Sequence, residues 1–365
     1  MIIYILILLA LLFSKTIEKK ESKGIIQYIL LWAILIIIVG LQYRMGGDNL
    51  SYEDDFKMMA SLKRLSSDDF SIGSRFQPLW LVFVGLVKNI SDSYTFYHFI
   101  HAIFLNSIFA TLFFKQTKNK FTATLLFFVS FEFFVFNIDL QRESLAVATF
   151  CLAYYQLIKE KYINYYILAV IAFLFHASAT FLFFIPPVYC LYKNGYIKLL
   201  FVILLVVGIG LTAIKEFMMD LGFSVIDNLN DQVSYYSEQE VNRTNAFVLA
   251  IFTCIPFLIF IKLKQFDTSK TDFFYFCTIL YCVFTISNVF DTISFRFCNY
   301  MLPFVLIYMA TIIGNTPKKQ KKYLYVAFVL LTILYVYKYT LPAPFIRPDA
   351  KMYEMYIPYR SVLFN

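Results

Sequence analysis

The chain has 365 residues, 60% of them hydrophobic, 20% aromatic and only 15% charged, with a formal net charge of +8. Its mean hydropathy of +0.67 leaves too little polar surface to cover a water-soluble core, which excludes an ordinary soluble domain. The positive charges lie between long apolar runs and form no basic domain, so the sequence argues against nucleic acid as a partner.

The opening run, MIIYILILLALLF, lacks a basic leader and a small-residue cleavage site, and is expected to be a retained helix rather than a secretory signal. Apolar periodicity then predicts helices near 24–43, 76–90, 93–114, 120–137, 139–158, 162–176, 177–193, 196–217, 244–264, 271–291, 294–314 and 322–340. Such runs without alternation describe an all-α, polytopic integral membrane protein and exclude a β-barrel. The chain is expected to form one membrane domain, with outer loops at 44–75 and 218–243 and an outer tail at 341–365. Lysine-bearing connections such as SKTIEKKESK, KQTKNK and TPKKQKK are expected in the cytoplasm by the positive-inside rule. All can lie there only if 76–90 is re-entrant or interfacial, which leaves about twelve crossings and both termini outside.

Under that topology all eight arginines (Arg44, Arg64, Arg75, Arg142, Arg243, Arg296, Arg347 and Arg360) fall on the outer side. Arginine presents a planar fork that grips phosphate or carboxylate bidentately, whereas lysine serves as a topology charge. The arms 162–176 and 177–193 are each about 22–25 Å long, short of a roughly 30 Å hydrocarbon core. The tip of that hairpin, near His176, is therefore expected to lie below the outer surface.

Several stretches carry candidate chemistry. Arg44 and Asp48 flank the Gly46-Gly47 turn in GLQYRMGGDNL, as an anion receptor with an acid beside it or as a salt-bridged loop start. Arg142, next to Gln141 in NIDLQRESLAVATF, opens an apolar helix, where an anion is favoured; alternatively Asp139 caps the helix and pairs with Arg142. His176 is a histidine inside an apolar run, suited to proton transfer or substrate contact. His98 and His101 stand three apart without a third ligand of suitable spacing, which favours an interfacial role over a metal site. Asp291 and Arg296, in NVFDTISFRFCNY, repeat the pairing of an arginine with an acid. The tyrosines of 218–243 and of the tail suit an interfacial aromatic belt or sugar stacking. The six cysteines form no CxxC pair and are expected to be packing residues.

Taken together, these stretches resemble the EpsG family, which belongs with Wzy-type polysaccharide polymerases. The landmarks are Arg44 to Asp48 with Tyr52, Gln77-Pro78, Arg142 with Leu145-Ala146, His176 with Ser178, and Arg296 with Tyr300. Two positions depart from the family pattern: Gln77 where an acid is often found, and Glu143 where a glutamine is. If Arg142 binds pyrophosphate, Glu143 opposes that charge.

The resemblance implies a GT-C-like architecture and glycosyl transfer at the outer face of the bacterial plasma membrane. Repeat units on undecaprenyl pyrophosphate would be both donor and acceptor. His176 or Asp48 would then be the base, with Arg44, Arg75, Arg142, Arg296, Gln141, Asp291 and Tyr300 holding pyrophosphate and glycan. No metal or cofactor is implied. Membrane lipids, a chain-length regulator and a flippase are the expected partners. Rival classes are a flippase for lipid-linked oligosaccharides, expected to show charges through the membrane depth and two-fold symmetry, and another outer-face transferase such as an O-antigen ligase.

Overall fold

The computed structural model describes residues 2–17, 24–66, 68–70, 76–196, 243–268, 272–288, 293–340, 342–343 and 347–364. The expected helix at 196–217, the loop 218–243, Arg75 and Asp291 therefore lie outside the described residues. Helices follow in the order α1 (Ile2–Ile17), α2 (Gly24–Gly40), α3 (Asn49–Met58), α4 (Pro78–Lys88), α5 (Tyr94–Gln116), α6 (Lys120–Val129), α7 (Glu132–Ile138), α8 (Gln141–Leu157) and α9 (Tyr162–Phe175). A 3-10 stretch (Ala177–Phe184) leads into α10 (Ile185–Lys193). Then come α11 (Arg243–Lys262), α12 (Phe273–Ser287), α13 (Ile293–Asn315), α14 (Lys321–Thr340) and α15 (Met352–Tyr356). Two short antiparallel strands, β1 (Pro342–Ala343) and β2 (Arg347–Lys351), precede α15.

Helices α8 and α13 form the centre. Thirteen of the seventeen residues of α8 are buried, so it has no solvent or lipid stripe of the kind a peripheral helix shows. Ser144, Ala146, Ala148 and Ala153 keep it slim, which allows close approach by its neighbours α5, α7, α9 and α13. The perimeter is apolar on its outward side: Ile2, Leu6, Leu9 and Phe13 of α1, Ile163, Ile167 and Val170 of α9, and Val326, Val329 and Ile333 of α14 are exposed. An exposed apolar surface distributed over several helices needs lipid against it. The chain is a helical membrane protein.

Helix lengths differ from the sequence expectation. Among the described residues only α5 and α13 are long and apolar enough to cross a membrane singly, and α6 with α7 makes a third if the bent pair is one span. Apolar stretches of 10–17 residues make up Ile2–Ser14 of α1, α2, α4, α9, Thr253–Lys262 of α11 and α12. The predicted helix 120–137 is broken, its halves meeting at 71°. Phe131 sits at the break with φ of 66° and precedes the first turn of α7, a conformation no helix continues through. The predicted helix 177–193 begins as 3-10 because His176 is extended. The loop 44–75 contains α3, whose last carbonyls are capped by Lys88: its ammonium donates to Phe56 O at 2.8 Å and Met59 O at 2.6 Å.

The two ends of the bundle differ in their contacts. At one end Lys193 pairs with Glu160 at 3.2 Å and Lys264 with Asp272 at 3.2 Å. Gly314 there packs against Asn119 so closely that a Cβ would collide with the amide. At the other end Arg360 O accepts from Tyr43 N at 3.1 Å, and Tyr4 OH, near the start of the chain, bonds Tyr356 O. Both described termini thus meet at the arginine end.

His98 and His101 are fully buried, which corrects the interfacial reading. They brace the α7–α8 junction: His98 Nε2 bonds Asn137 O at 2.9 Å and His101 Nε2 bonds Gln141 O at 3.0 Å. Asn137 lies in the last turn of α7, where carbonyls lose their intrahelical partners, and the His98 ring supplies one; His101 adds a bond to Gln141 O in the first turn of α8. His98→Leu should therefore lower stability by about 1–3 kcal/mol, the cost of an unsatisfied buried carbonyl. A lowered unfolding midpoint of the detergent-solubilised protein would register that cost.

Candidate active site

The site is built where the α7–α8 junction meets the loop after α2. Asp139, in that junction, turns away from α8, whose N-cap is Leu140 with no side-chain bond. Its Oδ1 accepts from Gly47 N at 2.7 Å and Asp48 N at 3.1 Å, and its Oδ2 accepts from Tyr356 OH. The capping and Arg142-pairing role considered for Asp139 is replaced by a joint between three chain segments. Gly46 is needed here: its φ is +84°, and a Cβ would run into Asp139 Oδ1 and the Ile138 side chain. The tail completes the joint, with Met355 O accepting from Gly46 N at 2.9 Å and Leu41 O accepting from Val362 N at 3.0 Å.

Asp48 precedes α3 without capping it through its side chain. Its carboxyl is left within electrostatic reach of Arg296 and Arg142. The protein packed around it raises its pKa above the ordinary carboxylate range, against the lowering pull of both guanidinium groups.

The first turn of α8 carries Arg142 and Glu143 on successive positions, and they part. Glu143 is 1% exposed in its side chain and points to α13, where its Oε2 accepts from Arg296 Nη1 at 2.6 Å. Its other oxygen, Oε1, accepts from Asn299 Nδ2 at 2.9 Å. Arg142 turns toward α3 and α4 instead. Its guanidinium lies over the Phe76 ring at 5.4 Å and within hydrogen-bond reach of the Tyr52 hydroxyl. Its Nε and Nη1 are buried and have no partner. Buried donors are almost always satisfied, so this pair of N–H groups is a receptor for an acceptor-rich ligand.

His176 closes the other side. Its Nδ1 accepts from Ser178 N at 3.2 Å and lies 2.7 Å from Ser178 Oγ, which is 2.8 Å from Tyr300 OH. The backbone bond makes Nδ1 an acceptor, so the neutral ring carries its proton on Nε2. That nitrogen is 3.5 Å from Arg296 Nη1, too long for a strong bond. The constellation can therefore bind an anion at Arg142, offer an Nε2–H donor at His176, and hold a carboxylate at Asp48.

The EpsG family pattern matches residues 25–361. The chain belongs to the EpsG family. No curated protein and no solved structure matches it. Membership connects this membrane protein to polysaccharide biosynthesis and to a glycosyltransferase-type polymerase in general.

Of the EpsG landmarks, the structure gathers Asp48, Tyr52, Arg142, His176, Ser178, Arg296 and Tyr300 into one region. Arg44 stands apart on the rim: its Nε is 3.4 Å from Glu53 Oε2 with 48% of its side chain exposed, the salt-bridged loop start. Gln141 is fully buried and its amide is spent internally on Tyr97 OH, Tyr94 OH and Ile138 O. That commitment removes it from contact with a ligand. Glu143 opposes Arg296 and not Arg142, a correction with a simple cause: neighbouring residues on a helix point about 100° apart. Asn299 is the residue that sequence reasoning missed, and Asp139 was read there only as a cap or an Arg142 partner. Arg296, Asn299 and Tyr300 do stand at i, i+3 and i+4, a spacing that shares one helix face. Among the described residues no group of histidines, cysteines and acids could hold a metal.

Removing the joint should unseat Asp48. Asp139→Ala is expected to cut polymer formation at least tenfold while the helical signal in circular dichroism stays, because three donors lose one acceptor residue. Asp139→Asn, which keeps a carbonyl oxygen for the Gly47 and Asp48 N–H groups, should retain more activity than Asp139→Ala.

Proposed function

We propose that the protein joins lipid-linked oligosaccharide repeat units at the outer face of the plasma membrane, using a polyprenyl-pyrophosphate-linked donor. The observation that carries this reading is the open guanidinium of Arg142, with two buried and unpartnered N–H donors beside a carboxylate and an imidazole. The leaving group in such a transfer is a pyrophosphate, whose departing charge needs fixed cations. Arg142 supplies the open one and Arg296, held by Glu143, the second. Asp48 takes the proton of the acceptor hydroxyl, while His176 directs Nε2–H at the developing negative charge. The apolar perimeter accommodates the polyprenyl chain.

Orientation is supported by the lysines at one end. Lys193, Lys264 and the lysine-rich turn at 317–322 lie at one end, which the positive-inside rule puts in the cytoplasm, and the site lies at the other, where Lys57 is paired with Glu53 and Lys88 caps α3. The helix α9, fourteen residues from the lysine end to His176, is about 21 Å long. His176 is thereby about 10 Å below the far surface of a 30 Å core, deep enough to exclude bulk water from an activated sugar.

Purified protein incubated with lipid-pyrophosphate repeat units should yield a ladder of longer lipid-linked glycans. Arg142→Ala should reduce the rate by a hundredfold or more, corresponding to loss of about 3 kcal/mol of transition-state stabilisation. A normal ladder from Arg142→Ala would remove the site assignment. Single additions without a ladder would mark a ligase, and movement of intact substrate across proteoliposomes a flippase. Separately, a cysteine placed at Gln320 in a Cys190→Ser background should resist an impermeant thiol reagent on whole cells. Labelling there would reverse the orientation.

A further inference from the structure

Half of the buried side-chain nitrogen and oxygen atoms without a partner, among the described residues, belong to Arg142 and to three residues at the starts of α3 and α4, the helices that carry or follow its two aromatic contacts, and together they make a polar patch. They are Asn49 Nδ2 and Oδ1, Gln77 Oε1, Trp80 Nε1, and Arg142 Nε and Nη1. The patch has a coherent geometry. Asn49 and Tyr52 are three apart and share one face of α3, and Gln77 and Trp80 are three apart at the start of α4. The two faces meet where the Tyr52 ring packs edge-on against Trp80 at 5.9 Å. Tyr52 reaches Arg142 through its hydroxyl, and Phe76, which precedes Gln77, carries the Arg142 guanidinium on its ring.

The chemistry of the unpartnered atoms discriminates between ligands. A phosphate only accepts: it would satisfy Arg142, Trp80 Nε1 and Asn49 Nδ2 but leave Asn49 Oδ1 and Gln77 Oε1 without a donor. A ring bearing several hydroxyls both donates and accepts, and its C–H faces pack on aromatic rings. We infer that Asn49, Gln77 and Trp80, walled by Tyr52 and Phe76, form the subsite for the sugar attached directly to the donor's pyrophosphate. This rests on the reading of Arg142 as the phosphate receptor. It adds that α3 and α4 recognise the first sugar of the repeat unit, and it assigns Gln77, which stands where an acid is common in the family, as a hydroxyl acceptor that adds no charge beside the pyrophosphate.

Full-length protein in lipid nanodiscs should be titrated with a polyprenyl pyrophosphate bearing no sugar. The same lipid bearing one pyranose (glucose, galactose or N-acetylglucosamine, each tested separately) provides the comparison. At least one glycosylated lipid should bind more tightly than the bare one. Gln77→Leu and Asn49→Ala should each weaken that lipid about tenfold while changing the bare lipid less than twofold. Gln77 makes no side-chain cap at α4, so Gln77→Leu decides the matter should Asn49→Ala fold poorly. Equal weakening of both lipids would reduce these residues to shaping the pocket and overturn the inference. So would unchanged binding of the glycosylated lipid, or no preference for any of the three, the outcome expected if water alone serves these atoms. Arg142→Ala should weaken bare and glycosylated lipids alike; if neither changes, the phosphate reading fails instead.

Discussion

The ion pair between Glu143 and Arg296 is the joint on which the site depends. It ties the first turn of α8 to the first turns of α13, the two helices at the centre of the bundle. A buried carboxylate and guanidinium gain little net stability over an apolar pair, because desolvation offsets most of their attraction. What the pair contributes is direction. With both oxygens of Glu143 occupied, at 2.6 Å by Arg296 and 2.9 Å by Asn299, α8 has one rotational setting. That setting turns Arg142 toward α3 and α4 and brings Arg296 beside His176. Removing Arg296 would leave the Glu143 carboxylate, 1% exposed, without its compensating charge.

The second constraint is the break between α6, α7 and α8. A straight helix through this region would carry Asp139 along the bundle axis and leave the Asp48 loop without its acceptor. Phe131 in a left-handed conformation turns the chain, His98 pairs the Asn137 carbonyl at the end of α7, and His101 holds the first turn of α8 through Gln141 O. Asp139 then gathers a loop from the beginning of the chain and a tyrosine from its end. The site is thus assembled from segments that no short stretch of sequence contains.

That assembly explains which features could be read beforehand. The helical, membrane-embedded class follows from composition and from runs such as those of α2 and α13, where hydropathy acts locally. Arg142, His176 and Arg296 stood out because a charge inside an apolar run has few neutral explanations. The 71° break was not read from the sequence, because Ser130 and Glu132 on either side of Phe131 interrupt the apolar run only briefly and do not by themselves dictate the left-handed dihedral angles of Phe131. Asp139 was misread for a related reason: proximity along the chain favoured a cap or an Arg142 pair, whereas its partners lie 91 to 217 residues away. Gln141 misled in the opposite sense. Adjacent to an exposed-looking arginine, it faces the core, where Tyr94 and Tyr97 exhaust its amide.

The unequal states of the two arginines bear on how such a site could turn over. Two open guanidinium groups would grip a pyrophosphate equally in substrate and product, and uniform binding of that kind lowers the Michaelis constant without speeding the chemical step. Here one fork is open and the other is compensated by Glu143. If the donor is a diphosphate, as proposed, it would meet Arg142 first and gain from Arg296 only as charge develops on the leaving oxygen, when it would compete with the Glu143 carboxylate for the same Nη1. On that reading Glu143 would weaken ground-state binding more than it weakens the transition state, which raises the rate of the chemical step rather than the affinity for the substrate.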